Sequence, residues 1–179
     1  MNLTIRKVFF FISIFAAINI IDGFIRTVTP IYANFMTKHD PEGVSVTRIN
    51  KTTTEIVFTE EFNADTNPLK VHIDYFFETS GERHIIQIDN LCAPQKNDTT
   101  EYAAQTYVLK YFGNTDKCPI KKGTKVTHTI GKPFTCNLTD PDCGSDDGTI
   151  SMFKKNSKKG NSPLVLLVHY GAKVTGSDC

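Results

Sequence analysis

Lys70-Val71-His72-Ile73-Asp74-Tyr75-Phe76-Phe77-Glu78 carries the clearest alternation in the chain. Val71, Ile73, Tyr75 and Phe77 fall on one side of an extended backbone. His72, Asp74 and Glu78 fall on the other, with Phe76 among them. A period of two is that of a strand with one buried face. Thr79-Ser80-Gly81-Glu82 supplies turn residues, and residues 84–89 resume the alternation, with His84, Ile86 and Ile88 opposed to Ile85, Gln87 and Asp89. The two runs predict an antiparallel hairpin. Its apolar face needs a second layer to cover it.

Toward the N-terminus, residues 54–62 predict a strand in which Ile56, Phe58 and Phe62 share a face, Glu60 being the exception. A weaker strand over 44–49 follows the turn signal Asp40-Pro41-Glu42-Gly43. Residues 24–39, with Pro30 among them, show no clear period. Toward the C-terminus, 99–112 leave the two-residue rhythm: Tyr102, Thr106 and Leu109, and one step on Ala103, Tyr107 and Lys110, lie at helical spacing. Asp98 and Thr99 offer caps, Glu101 sits in the first turn, and Gly113-Asn114 would end a short helix. A polar strand over 125–130, a loop over 133–147, a turn at Asp147-Gly148 into a strand over 149–154, and a last strand over 164–174 complete the chain. Seven or eight short strands and one helix predict an all-β protein of two antiparallel sheets packed face to face.

Residues 1–23 read as a secretory signal, with Arg6 and Lys7, an apolar run over 8–18, and a small residue, Gly23, at the expected cleavage point. That run is shorter than the ~20 residues a bilayer span requires. The expected mature chain is then one domain over 24–179. Losing Arg6, Lys7 and Asp22 from 20 basic and 19 acidic residues leaves 18 of each, a balance that argues against nucleic acid as a partner. Five cysteines, none in a C-x-x-C pair and none with a histidine at zinc spacing, predict disulfides in an oxidising compartment rather than a metal site. The sequons at Asn50, Asn97 and Asn137 fit the same compartment, extracellular or endo-lysosomal.

Lys117-Cys118-Pro119-Ile120-Lys121-Lys122-Gly123-Thr124 is the most distinctive short stretch. Proline after a cysteine marks the edge of a strand or loop, and Gly123 suits a turn of positive φ. The run from Cys118 to Thr124 resembles the Cys-Pro-apolar-x-x-Gly-Thr motif of the ML lipid-recognition family, in particular its ganglioside-activator branch and related insect secreted proteins. Leu91-Cys92, Asp147-Gly148-Thr149-Ile150, the 154–159 connection and the closing strand follow in that family's order, so the resemblance spans roughly 85–174. It departs from the pattern at Lys125, where the family often has an aromatic residue, and in having no cysteine before Cys92. The resemblance implies an immunoglobulin-like sandwich whose sheets splay at one end around an apolar cavity for acyl chains. It implies binding and presentation of a lipid, without catalysis and without a cofactor.

On that reading Phe58, Ile73, Tyr75, Phe77, Ile86 and Leu166 would line the cavity; the same residues also suit a solid core. A lipid-sized void costs about 24 cal/mol per Å³ while empty, and each buried methylene returns ~0.8 kcal/mol. A hollow sandwich therefore needs ligand or cross-links. Cys92 is paired with Cys118 and Cys136 with Cys143 in the expected scheme, leaving Cys179 free or bridging two chains; other pairings remain open. Lys154, Lys155, Lys158 and Lys159 are either a solvated connection or a contact with anionic head groups at a membrane surface. His72 and His84 could face each other across the hairpin, but a metal there is not expected. No G-x-S-x-G, H-E-x-x-H or phosphate loop is present. The other function that fits is a secreted protein-recognition domain, such as a salivary or host-interaction factor, with a solid core. Oligomeric state is left open.

Overall fold

The structure, a computed structural model, describes residues 24–37, 43–138, 141–155 and 162–179. The expected signal at 1–23 and the lysines Lys158 and Lys159 lie outside the described residues. Among the described residues, nine strands and one helix follow in the order β1 (Phe24–Met36), β2 (Val44–Arg48), β3 (Thr53–Phe58), β4 (Leu69–Phe77), β5 (Arg83–Ile88), α1 (Thr100–Gly113), β6 (Lys125–Thr129), β7 (Phe134–Leu138), β8 (Gly144–Lys154) and β9 (Leu164–Thr175). Six strands make one sheet in the order β5-β4-β8-β9-β1-β7, and three make a second in the order β2-β3-β6. Every described pairing is antiparallel. The fold is the expected all-β sandwich.

The hairpin β4–β5 forms with Ile73 opposite Ile86 and Val71 opposite Ile88. Leu69, Val71, Ile73 and Phe77 are buried, as the alternation requires. The register puts His84 opposite Tyr75 and His72 opposite Gln87, so the two histidines do not face each other. The main core joins both sheets and the helix: Ile56 and Phe58 of β3, Val71 of β4, Ile150 and Met152 of β8, and Leu166 of β9 with Val108 of α1.

Three segments depart from expectation. Residues 24–36 are not irregular but form a 13-residue strand, seated between β9 and β7. Pro30 hid it. A proline cannot donate to a ladder, and the strand accommodates it where the β1–β9 register slips between Pro30 and Tyr32. The expected 133–147 loop contains β7 and the start of β8. Asp147-Gly148 is not a turn but the middle of β8. Gly148 is opposite Tyr75 on one side and Tyr170 on the other, and a Cβ there would lie 2.7 Å from the Asp74 carbonyl oxygen. Here glycine makes room between two aromatic neighbours.

The helix ends as expected. Thr99 Oγ1 accepts from the Tyr102 amide at 3.2 Å, and Asn114 caps the C-terminus in the left-handed region. Its buried face is Ala104, Val108, Leu109 and Phe112, so Tyr102, expected on the apolar stripe, is exposed instead. In the Cys-Pro stretch the Cys118–Pro119 bond is cis, Gly123 has φ +85°, and Ile120 exchanges two backbone hydrogen bonds with Phe62, at 2.9 and 3.0 Å.

Cys92 bridges Cys118, as expected. The second bridge is not Cys136–Cys143 but Cys143–Cys179. Cys136 is a free, buried thiol on β7, packed with Val28, Phe77, Ala172 and Val174. The pairing fails because Cys136 belongs to a strand and faces the core, whereas Cys143 lies just before β8. The C-terminal tail is fastened a second time by Asp178, which accepts from the guanidinium of the fully buried Arg26; Arg26 Nη2 also donates to the Pro141 carbonyl at 2.8 Å.

Candidate functional site: a cavity between the sheets

At the β3–β4–β8 side the two layers interlock. Phe58 and Leu166 are wholly buried in the main core and line none of the spaces described below. Ile73, Tyr75, Phe77 and Ile86 do border a space, but one of only about 70 Å³. The larger space lies toward β1, β6 and β7. There a half-open cavity of about 450 Å³ runs between the sheets and the C-terminal half of α1.

Strands β9, β1 and β7 and helix α1 build its apolar wall. Strand β9 supplies Val168 and Ala172, both 2% exposed, and β1 supplies Val28 and Phe35. Helix α1 supplies Phe112, 5% exposed, and Tyr107 and Tyr111. Phe134 of β7 closes the side, its ring centroid 4.3 Å from that of Tyr111 and 6.0 Å from that of Tyr107. These residues lie on one flank because β9, β1 and β7 are successive strands of the large sheet. A groove of about 250 Å³ between α1 and β7 shares Tyr107, Lys110 and Tyr111 with the cavity.

Two kinds of polar group border it. The first is internal. His128 of β6 is wedged between Phe112 and Phe35, with ring centroids 4.8 and 5.3 Å away, and its Nε2 is buried without a hydrogen-bond partner. Desolvation lowers its pKa to about 4, so the ring is neutral at neutral pH. Burial likewise raises the Tyr170 hydroxyl well above the usual phenol value, with the nearby Asp146 carboxylate adding to it. The second is the rim. Arg48, Lys51, Lys110, Lys125 and Lys132 line the cavity and are solvent-exposed; among the described residues no aspartate or glutamate lines it.

The expected head-group lysines stand elsewhere. Lys154 Nζ donates to both carboxylate oxygens of Glu60, at 2.9 Å each. Lys155 is exposed at the end of β8. Neither lines the cavity. Asn50, Asn97 and Asn137 are all exposed; Asn50 Oδ1 accepts from the Thr52 amide at 2.9 Å and from its hydroxyl at 3.1 Å. The rim and His128 were invisible to sequence reading because their members are spread from 48 to 132 and share no motif.

Other clusters have limited chemistry. Burial raises the Cys136 thiol to about 11, so it is protonated and a poor nucleophile. Tyr32 donates to Asp147, and that bond raises the phenol to about 12. Among the described residues, Glu82, His84 and Asp142 are the one group of three whose ligand atoms lie within 4.8 Å of one another. They could contact a divalent ion, and their His–carboxylate distances, 3.6 and 4.0 Å, are equally those of a loose ion pair.

Two disulfides fit an oxidising environment. No helix among the described residues is long and apolar enough to cross a membrane. No protein-family model matches the chain, and no curated protein matches it either.

Proposed function

We propose that this is a secreted, non-enzymatic lipid-binding protein that takes an acyl chain into the space between its sheets. The observation that carries the reading is the 450 Å³ cavity walled by Phe35, Phe112, Phe134, Val168 and Ala172. Its volume lies within the ~300–1,000 Å³ typical of small-molecule sites. An apolar wall of this size is stabilised when a hydrocarbon replaces water against it, at ~0.8 kcal/mol per buried methylene. The resemblance of residues 118–124 to the ML lipid-recognition motif supports the same reading. So do the two disulfides, which stiffen a sandwich that is not filled on one flank.

The test is displacement of the neutral fluorophore 1-aminoanthracene by twelve-carbon single-chain lipids, read on the wild type and on Ala33→Phe. Ala33 lines the cavity without belonging to the main core. A larger side chain there should lower affinity at least tenfold while the unfolding midpoint stays within a few degrees. Absence of any chain-dependent displacement by the wild type would remove lipid binding from the account.

A further inference from the structure

We infer that the ligand is an amphipathic anion, whose carboxylate or phosphate head is held at the rim by Lys51, Lys110 and Lys132 while its single chain enters the apolar wall. This rests on the lipid-binding reading and names its ligand class. The protein as a whole is close to neutral, with 20 basic and 19 acidic residues. The cavity lining is not: among the described residues five cations and no carboxylate border it. An asymmetry of that kind around one opening, over low-dielectric walls, concentrates anions.

The rim cations are also available. Lys125 has Glu55 at 3.9 Å, but Arg48, Lys51, Lys110 and Lys132 pair with no carboxylate among the described residues. Arg48 instead braces the β2–β3 turn, donating to the Asn50 and Lys51 carbonyls at 3.3 and 3.2 Å. Lys110 leans over the Tyr111 ring at 5.7 Å, which orients it beside the aromatic wall. The contrast with Lys154, already neutralised by Glu60, separates a binding cation from a structural one. Three elements converge on the opening: the β2–β3 turn brings Lys51, α1 brings Lys110, and the β6–β7 connection brings Lys132. The unpartnered Nε2 of His128 stands farther in, against Phe35 and Phe112, and marks the point where the lining turns from cationic to apolar.

The experiment compares dodecanoate, dodecyl phosphate, dodecanol and inorganic phosphate as displacers of 1-aminoanthracene at pH 7.5 and low ionic strength, below their aggregation limits. The expected result is that both anionic chains bind at least tenfold more tightly than dodecanol, and that the ratio shrinks as salt is added. Lys51→Gln/Lys110→Gln/Lys132→Gln should cut the ratio to less than about threefold and leave dodecanol unchanged. The matched control, Lys121→Gln/Lys122→Gln/Lys155→Gln, removes as much charge from exposed lysines away from the cavity and should keep the preference. Equal binding of acid and alcohol by the wild type overturns the inference while leaving lipid binding intact. So does an equal loss in the control, or displacement by inorganic phosphate alone. Failure of every chain, dodecanol included, sinks the lipid-binding reading itself.

Discussion

His128 illustrates how one side chain sets a pH window. Its folded-state pKa is lowered to about 4 by desolvation, against ~6.5 in an unfolded chain. The unfolded state therefore binds the extra proton first. The stability of the neutral buried ring is fully present above pH ~6.5 and is lost as pH falls from there to about 4. The loss from this residue is on the order of 3 kcal/mol. Asp178, lowered by its hydrogen bond to Arg26, acts in a separate window: its contribution is present above the ordinary aspartate range and is lost at more acid pH. His128→Phe should flatten the fall in urea midpoint between pH 7 and 5 and leave the fall below pH 4 in place. A midpoint that drops as steeply in the variant would assign the acid sensitivity elsewhere. Gly148 makes a second prediction at this scale. Gly148→Ala places a methyl 2.7 Å from the Asp74 carbonyl and the Tyr75 Cβ, and should cost about 1–3 kcal/mol by urea denaturation.

Among the elements, legibility followed the periodicity of each segment. Strands β3, β4 and β5 could be read because one face is more deeply buried than the other, so the pattern of two survives in the sequence. β1 could not, because Pro30 and the following slip in pairing break its phase, and because Ile25 and Ile31 are exposed apolar residues that blur the contrast. β7 is five residues long, and Thr135 and Asn137 beside a proline look like loop chemistry. The cysteine scheme failed for a related reason. Spacing alone made Cys136 and Cys143 neighbours, whereas strand direction turns one of them inward. The Cys143–Cys179 bridge closes a separation of 36 residues, for which the chain-entropy model gives roughly 3–4 kcal/mol. Cys179→Ser should therefore lower stability by about that amount, and should not be rescued by a new Cys136–Cys143 link. Peptide mapping of the variant that found Cys136 joined to Cys143 would show that β7 opens readily. The candidate site was least legible of all. Of the residues expected to line a cavity, Ile73, Tyr75, Phe77 and Ile86 border the small space and Phe58 and Leu166 lie in the main core, since burial in a core and exposure to a cavity produce the same alternating pattern.

For the molecule as a whole, the proposed lipid binding implies that a ligand acts as a folding partner of the sandwich. A ligand present at 100 times its Kd stabilises the native state by ~2.7 kcal/mol. For a chain of this size that corresponds to a rise in Tm of roughly 5–10 °C. Delipidated protein titrated with dodecanoate in a calorimeter should show that rise, and the Ala33→Phe variant should show little of it. The large sheet also imposes a schedule on biosynthesis. β9 lies in its interior, between β8 and β1, although it is the latest of the nine strands to be translated. The earliest strand emerging from the ribosome, β1, has only β7 and β9 as sheet partners, and must stay unclaimed for some hundred residues of elongation. Chaperones that shield extended segments of nascent chains should thus dwell on residues 24–36 longer than on any hairpin that closes locally.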